Sequence, residues 1–225
     1  MNIKIASVDS LIIYFSDTIS KETSLQVKSL YKSLKELNDE GLIEIIPSYT
    51  SLFISYDVFK YNFKSIKSFL EEQLKDLKSY EEDNSNIINI DVYYGEEVGL
   101  DLTRVATFAN ISVDEVIQLH SSKIYDVYAI GFLPGFAYLA SIDEKIVVPR
   151  LESPRKITPK GSVSIADNQT AIYPQNSPGG WNVLGRTTFE LFDKNLAKLS
   201  PLCIDSRIKF NPISKEEFLN QGGIL

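Results

Sequence analysis

GSVSIADNQTAIYPQNSPGGWNVLGRT, residues Gly161–Thr187, decides the fold. Three short runs within it, SVSIA, QTAIYP and WNVLGRT, are rich in β-branched and aromatic residues. Gly, Pro, Asn and Asp separate them. YDVYAIGF before this stretch, and FELF and SRIKF after it, continue the pattern. Short strands at regular spacing with turn residues between them predict a closed or nearly closed β-barrel. Ahead of the barrel, Asp101 is placed to cap a helix carrying Leu102, Val105 and Ala106. Ser112 with Glu115 is a capping box before Val116, Ile117 and Leu119. The tail, Lys215 to Leu225, reads as a loosely held helix or unstructured chain.

Working outward, backbone chemistry changes near residue 90. Residues 1–90 hold only Gly41 and Pro47, and residues 91–225 hold the other 18 Gly and Pro. All five Arg lie after 90, while the net charge divides evenly, −4 and −3. Two domains, 1–90 and 91–225, follow from this. In the first, Lys4 to Ser7, Leu11 to Phe15, Leu42 to Ile46, Leu52 to Tyr56 and Ile87 to Tyr93 read as strands, with Pro47-Ser48 as a turn. Val27, Leu30, Tyr31, Leu34 and Leu37 predict a helix over about 22–38. Phe59, Phe63, Ile66, Leu70, Leu74 and Leu77 predict a second, and Glu81 to Asn86 a loop. Strand, helix, two strands, helix, strand is a ferredoxin-like order in an α+β domain.

Composition narrows the chemistry. The chain has 225 residues and a formal net charge of −7, with one His (His120), one Cys (Cys203) and one Trp (Trp181). One Cys makes no internal disulfide, and one Cys with one His makes no zinc site of the usual kind, so no metal is expected. The acidic balance argues against nucleic acid as a partner. No apolar run approaches the roughly 18–20 residues of a membrane span, and MNIKIASVDS has no signal-peptide pattern. A cytoplasmic protein is expected.

Three stretches carry unusual chemistry. GFLPGFAYL, Gly131 to Leu139, packs Phe132, Pro134, Gly135, Phe136 and Tyr138 too densely for a regular strand. It reads either as a backbone-lined loop with aromatic walls at a pocket mouth or as a rigid packed corner. NSPGGWNVLGRT, Asn176 to Thr187, offers a turn whose Gly179 and Gly180 amides converge on an anion, with Trp181 beside it and the Arg186 fork. The alternative is a tight hairpin with a core Trp. Pro149 to Ser162 gathers Arg150, Arg155, Lys156 and Lys160, an electropositive patch or a solvated loop. His120 ends a predicted helix and is either a catalytic base or a structural residue. Cys203 reads as a buried, inert thiol in an apolar strand.

Taken in order, YGEEVGLDL (Tyr94 to Leu102), VIQLH (Val116 to His120), IGFLPGFAYL (Ile130 to Leu139), the Pro149–Arg155 stretch, Gly161 to Pro174 and SPGGWNVLGRT (Ser177 to Thr187) closely resemble the 5-oxoprolinase B subunit family. That family includes the inhibitor of a sporulation histidine kinase. It is similar to allophanate hydrolase subunit 1 and to part of the carboxyltransferase region of urea carboxylases. The resemblance implies a small α/β N-terminal domain and a cyclophilin-like barrel. It also implies A and C subunits as partners that, with this chain, open 5-oxo-L-proline to L-glutamate using ATP as co-substrate. It makes Arg150, Arg155 and Arg186 candidates for anion contacts, Gly179 and Gly180 for amide donors, and His120 for base or orienter. A sensor histidine kinase as partner, or an allophanate- or urea-processing role, are the alternatives. The chain departs from the family pattern at Leu151, Asp167, Ala171, Thr188 and Asp205-Ser206, where Arg, Gly, Gly, Pro and Gly-Asp are usual.

Overall fold

The computed structural model describes every residue except 76, 78–86 and 196–197. It divides into two compact units, Met1–Asp83 and Asn84–Leu225. The loop expected at Glu81 to Asn86 lies outside the described residues.

The first unit runs β1 (Asn2–Ser7), β2 (Ser10–Tyr14), α1 (Lys21–Leu37), β3 (Leu42–Ser48), β4 (Ser51–Tyr56) and α2 (Phe63–Lys75). Its sheet has the order β1-β2-β4-β3 and is antiparallel throughout. Alternation along β2 and β4 puts Leu11, Ile13, Leu52 and Ile54 into one core with Val27, Leu30 and Leu34 of α1 and Ile66 and Leu70 of α2. Ser20 caps α1 by accepting from the Thr23 amide, and Asn38 ends it in the left-handed conformation. Phe59 lies before α2 and is 96 % exposed, outside the apolar stripe assigned to it. Pro47 and Ser48 continue β3, so the turn falls after them.

The expected ferredoxin-like order is not completed here. The strand foreseen as its last, β5 (Ile87–Val92), pairs parallel with β13 (Arg207–Pro212) in the second unit. Within the first unit β1 takes the place beside β2, reached through a short hairpin.

The second unit continues with α3 (Leu102–Ala109), α4 (Val113–Ser122), β6 (Ile124–Ile130), β7 (Ala137–Ala140), β8 (Arg155–Thr158), β9 (Ser162–Ala166), β10 (Gln169–Ile172), β11 (Ser177–Gly179), β12 (Asn182–Arg186), then β13 and α5 (Lys215–Asn220). Seven strands form a sheet in the order β12-β9-β10-β7-β6-β13-β5. Its two edges meet where Tyr93 and Arg186 exchange backbone hydrogen bonds of 2.9 Å, making a nearly closed barrel. Gly185 permits that seam, because a Cβ there would stand 2.5 Å from the Tyr93 carbonyl oxygen. FELF forms no strand, whereas β7, inside the stretch that reads as too irregular, does. The tail is not loose: α5 starts with a complete Ser214–Glu217 capping box and buries Phe218. Cys203 is half-buried and lies outside the strands.

Candidate functional site

The bend before β7 and the segment entering β12 meet at a cavity of about 250 Å³. Phe132, Phe136, Tyr138, Tyr173 and Trp181 wall it, with Arg150, Pro154, Pro178, Gly179 and Gly180 completing the lining. Phe136, Tyr173 and Trp181 belong to a buried cluster with Ala166 and Ala171. Phe136 meets Phe132, Tyr138, Tyr173 and Trp181 edge-on, with centroids 4.8–6.0 Å apart. Phe136, Tyr173 and Trp181 are therefore part of the packed interior, with Tyr138 packed against them.

The rim differs. Arg150 is largely exposed, and its guanidinium carbon lies 5.7 Å from the Trp181 ring centroid. Its closest carboxylate is Asp167, at 3.9 Å from Nε, an exposed pair that leaves the charge available. Phe132 is 61 % exposed and sits at φ +72°, a left-handed conformation that is rare for a bulky side chain. Burial raises the Tyr138 and Tyr173 hydroxyls above the usual phenol range, and the Arg150 charge opposes the shift at both. Gly179 is required by packing: a Cβ would fall 2.3 Å from the Tyr173 hydroxyl and 2.7 Å from that of Thr158.

The structure thus brings together Arg150, Gly179, Gly180, Phe132, Phe136, Tyr138 and Trp181, with Pro134 and Gly135 forming the bend rather than the wall. The other three do not line this cavity. His120 is fully buried and stacked 4.7 Å from Phe210. Its Nδ1 lies 2.8 Å from the Tyr94 hydroxyl and its Nε2 2.9 Å from that of Thr170. Thr170 donates onward to the Ser164 carbonyl, so Nε2 donates to Thr170 and Nδ1 accepts from Tyr94. Burial pushes the ring down to about 3. A neutral, enclosed imidazole with both nitrogens engaged does not act as base for a substrate in this cavity.

Arg155 pairs with Asp101, Nη2 to Oδ1 2.5 Å, and spends its charge there. Arg186 lines a different cavity, of about 510 Å³, with Lys160, Thr187, Phe189, Phe218 and Gln221. Its Nη1 donates to the Ile224 carbonyl. The anion-binding turn expected at Ser177 to Gly180 is also corrected, because Ser177–Gly179 form β11 and pair with β8. Tyr173 and Pro154 also line the cavity and are not among the residues expected from sequence; the proximity of IYP to the Trp181 stretch is the signal that points to Tyr173.

Among the described residues no group of His, Cys, Asp and Glu is arranged to hold a metal, and no helix is long and apolar enough to cross a membrane.

A family model described as "Carboxyltransferase domain, subdomain C and D" matches residues 1–202. The chain is 35 % identical to the 5-oxoprolinase B subunit of Bacillus subtilis (strain 168), over 93 % of this chain and 91 % of that protein. It is 39 % identical to the 5-oxoprolinase B subunit of Haemophilus influenzae, over 82 % and 86 %. Among solved structures it resembles that of TTHA0988 with a TM-score of 0.81 and 30 % identity, over 91 % of this chain and 40 % of that one. It therefore spans about two fifths of that longer protein. The urea amidolyase of K. lactis shares the fold, with a TM-score of 0.76 at 17 % identity over 97 % of this chain and 15 % of that one.

Proposed function

The chain belongs to the 5-oxoprolinase B subunit family, and from that membership we propose that it is the B subunit of an ATP-dependent complex that opens 5-oxo-L-proline to L-glutamate. The observation that carries this reading is the aromatic cavity beneath Arg150. A five-membered lactam is small and flat and bears a carboxylate. Trp181, Phe136 and Tyr138 suit the ring, and the Arg150 fork suits the carboxylate.

The chemistry needs a co-substrate because a lactam carbonyl is a stabilised amide. Transfer of a phosphoryl group from ATP to the lactam oxygen makes the carbon electrophilic. Water then adds at that carbon and the ring C–N bond breaks, the nitrogen taking a proton, which leaves an acyl phosphate; a second water releases phosphate and completes the carboxylate. Holding the lactam still while this occurs is the contribution assigned to this chain. The barrel is of the cyclophilin-like type. Its partners are the C subunit, itself of barrel type, and a separate A subunit, working in the cytoplasm. His120 has a structural role in this reading, and Arg155 braces the site.

Mixing the purified chain with the A and C subunits, ATP and 5-oxo-L-proline tests the proposal. Glutamate release that requires all three proteins is expected. Absence of release from the full mixture sinks it.

A further inference from the structure

Asp101 occupies the N-cap position of α3, yet its side chain does not cap the helix. It is 4 % exposed and turned away: Oδ2 accepts from the Val183 amide at 2.7 Å, and Oδ1 from Arg155. A carboxylate that forgoes capping, worth about 1 kcal/mol, is committed elsewhere. One turn along α3, Arg104 donates to Oδ1 of Asn182. Asn182 is fully buried in β12, and its Nδ2 donates to the carbonyls of Pro149 at 3.0 Å and Ile165 at 3.2 Å. A buried amide is costly where an apolar side chain would serve the barrel as well, unless each polar atom is engaged.

These bonds converge on two residues. Arg150 lies between Pro149, whose carbonyl Asn182 holds, and Leu151, whose amide donates to the Gly180 carbonyl at 2.7 Å. Trp181 lies between that Gly180 and Asn182 itself. The backbone that carries Arg150 and Trp181 is thus cross-tied on both flanks, and neither segment needs to order when a ligand arrives.

We propose that Asn182, held by Arg104, is a positioning residue that sets Arg150 over Trp181, with the Asp101–Arg155 pair anchoring the same segment. Its catalytic consequence rests on the aromatic cavity being the substrate site; its structural consequence does not.

The single Trp makes the test direct, since tryptophan emission reports Trp181 alone. Acrylamide quenching is measured in the free protein for Arg150→Ala, Asn182→Val, Arg104→Met and the doubles. Arg104→Met changes an exposed residue, and so keeps the test available if Asn182→Val does not fold. Arg150→Ala is expected to raise quenching, and to lose at least about half of that effect in either tie-breaking background. Equal Arg150→Ala effects in all backgrounds overturn the proposal. In the reconstituted complex, Arg104→Met and Asn182→Val are expected to raise KM for 5-oxo-L-proline roughly fivefold with kcat nearly unchanged. Coupled quenching with unmoved KM upholds the ties and overturns the assignment of the cavity to that substrate.

Discussion

Phe132 combines strain with exposure. Its φ of +72° suits glycine, and its side chain lies mostly in solvent, edge-on to Phe136. Strain of this kind persists where surrounding structure imposes it, and here it sits on the rim of the cavity. Phe132→Gly is expected to raise unfolding free energy by about 1 kcal/mol in urea titration while weakening ligand binding. Stability and binding falling together would show that the aromatic ring is structural. Asp167, where the resemblance leads to an expectation of Gly, also sits at positive φ, +52°, a conformation that Asp adopts more readily than most side chains. His120 makes a second prediction. Its folded value, about 3, lies below the ordinary imidazole value of 6.5, so full stability is present above pH 6.5. As pH falls from 6.5 toward about 3 the unfolded chain takes up a proton that the folded chain refuses, and stability is lost by up to about 1.4 kcal/mol per pH unit. His120→Asn should flatten that part of the stability–pH curve relative to the parent; superimposable slopes would contradict it. The sequence marks His120 as unusual but leaves its role open, because Tyr94 and Thr170, which settle it, lie 26 and 50 residues away.

Elements with strong periodicity are legible. Leu11 and Ile13, and Leu52 and Ile54, alternate as half-buried strands must, and the stripe through Val27, Leu30 and Leu34 forms α1 as expected. SVSIA is β9 to the residue. What is not legible depends on remote pairing. Ile87 to Tyr93 reads as the last strand of the first domain, but the allegiance of β5 is decided by β13, far along the chain. β7, β8 and β11 are three or four residues long and carry too little pattern to be read. Arg186 looks chemical because Arg near Gly suggests anion binding, but Gly185 and Arg186 serve the barrel seam. Gly185→Ala forces a Cβ against the Tyr93 backbone, and denaturant unfolding should show a loss of about 2–4 kcal/mol. A change below about 0.5 kcal/mol would mean that the edges do not meet there.

At the scale of the whole molecule, the split in backbone chemistry near residue 90 reflects two kinds of construction. Long helices over one sheet use little Gly or Pro, whereas a barrel of short strands uses both at its many turns. The formal charge of −7 says little about the site, where Arg150 is the exposed cation over an aromatic floor. This floor and that cation are proposed to bind the lactam within a multi-protein enzyme, and that binding can be measured. It is tested most directly by the rate of glutamate release against 5-oxo-L-proline concentration, for complexes reconstituted with the parent chain, Arg150→Ala or Arg186→Ala. Arg150→Ala is expected to raise KM by roughly tenfold or more while Arg186→Ala leaves it near the parent value. Parent-like kinetics for Arg150→Ala would contradict it.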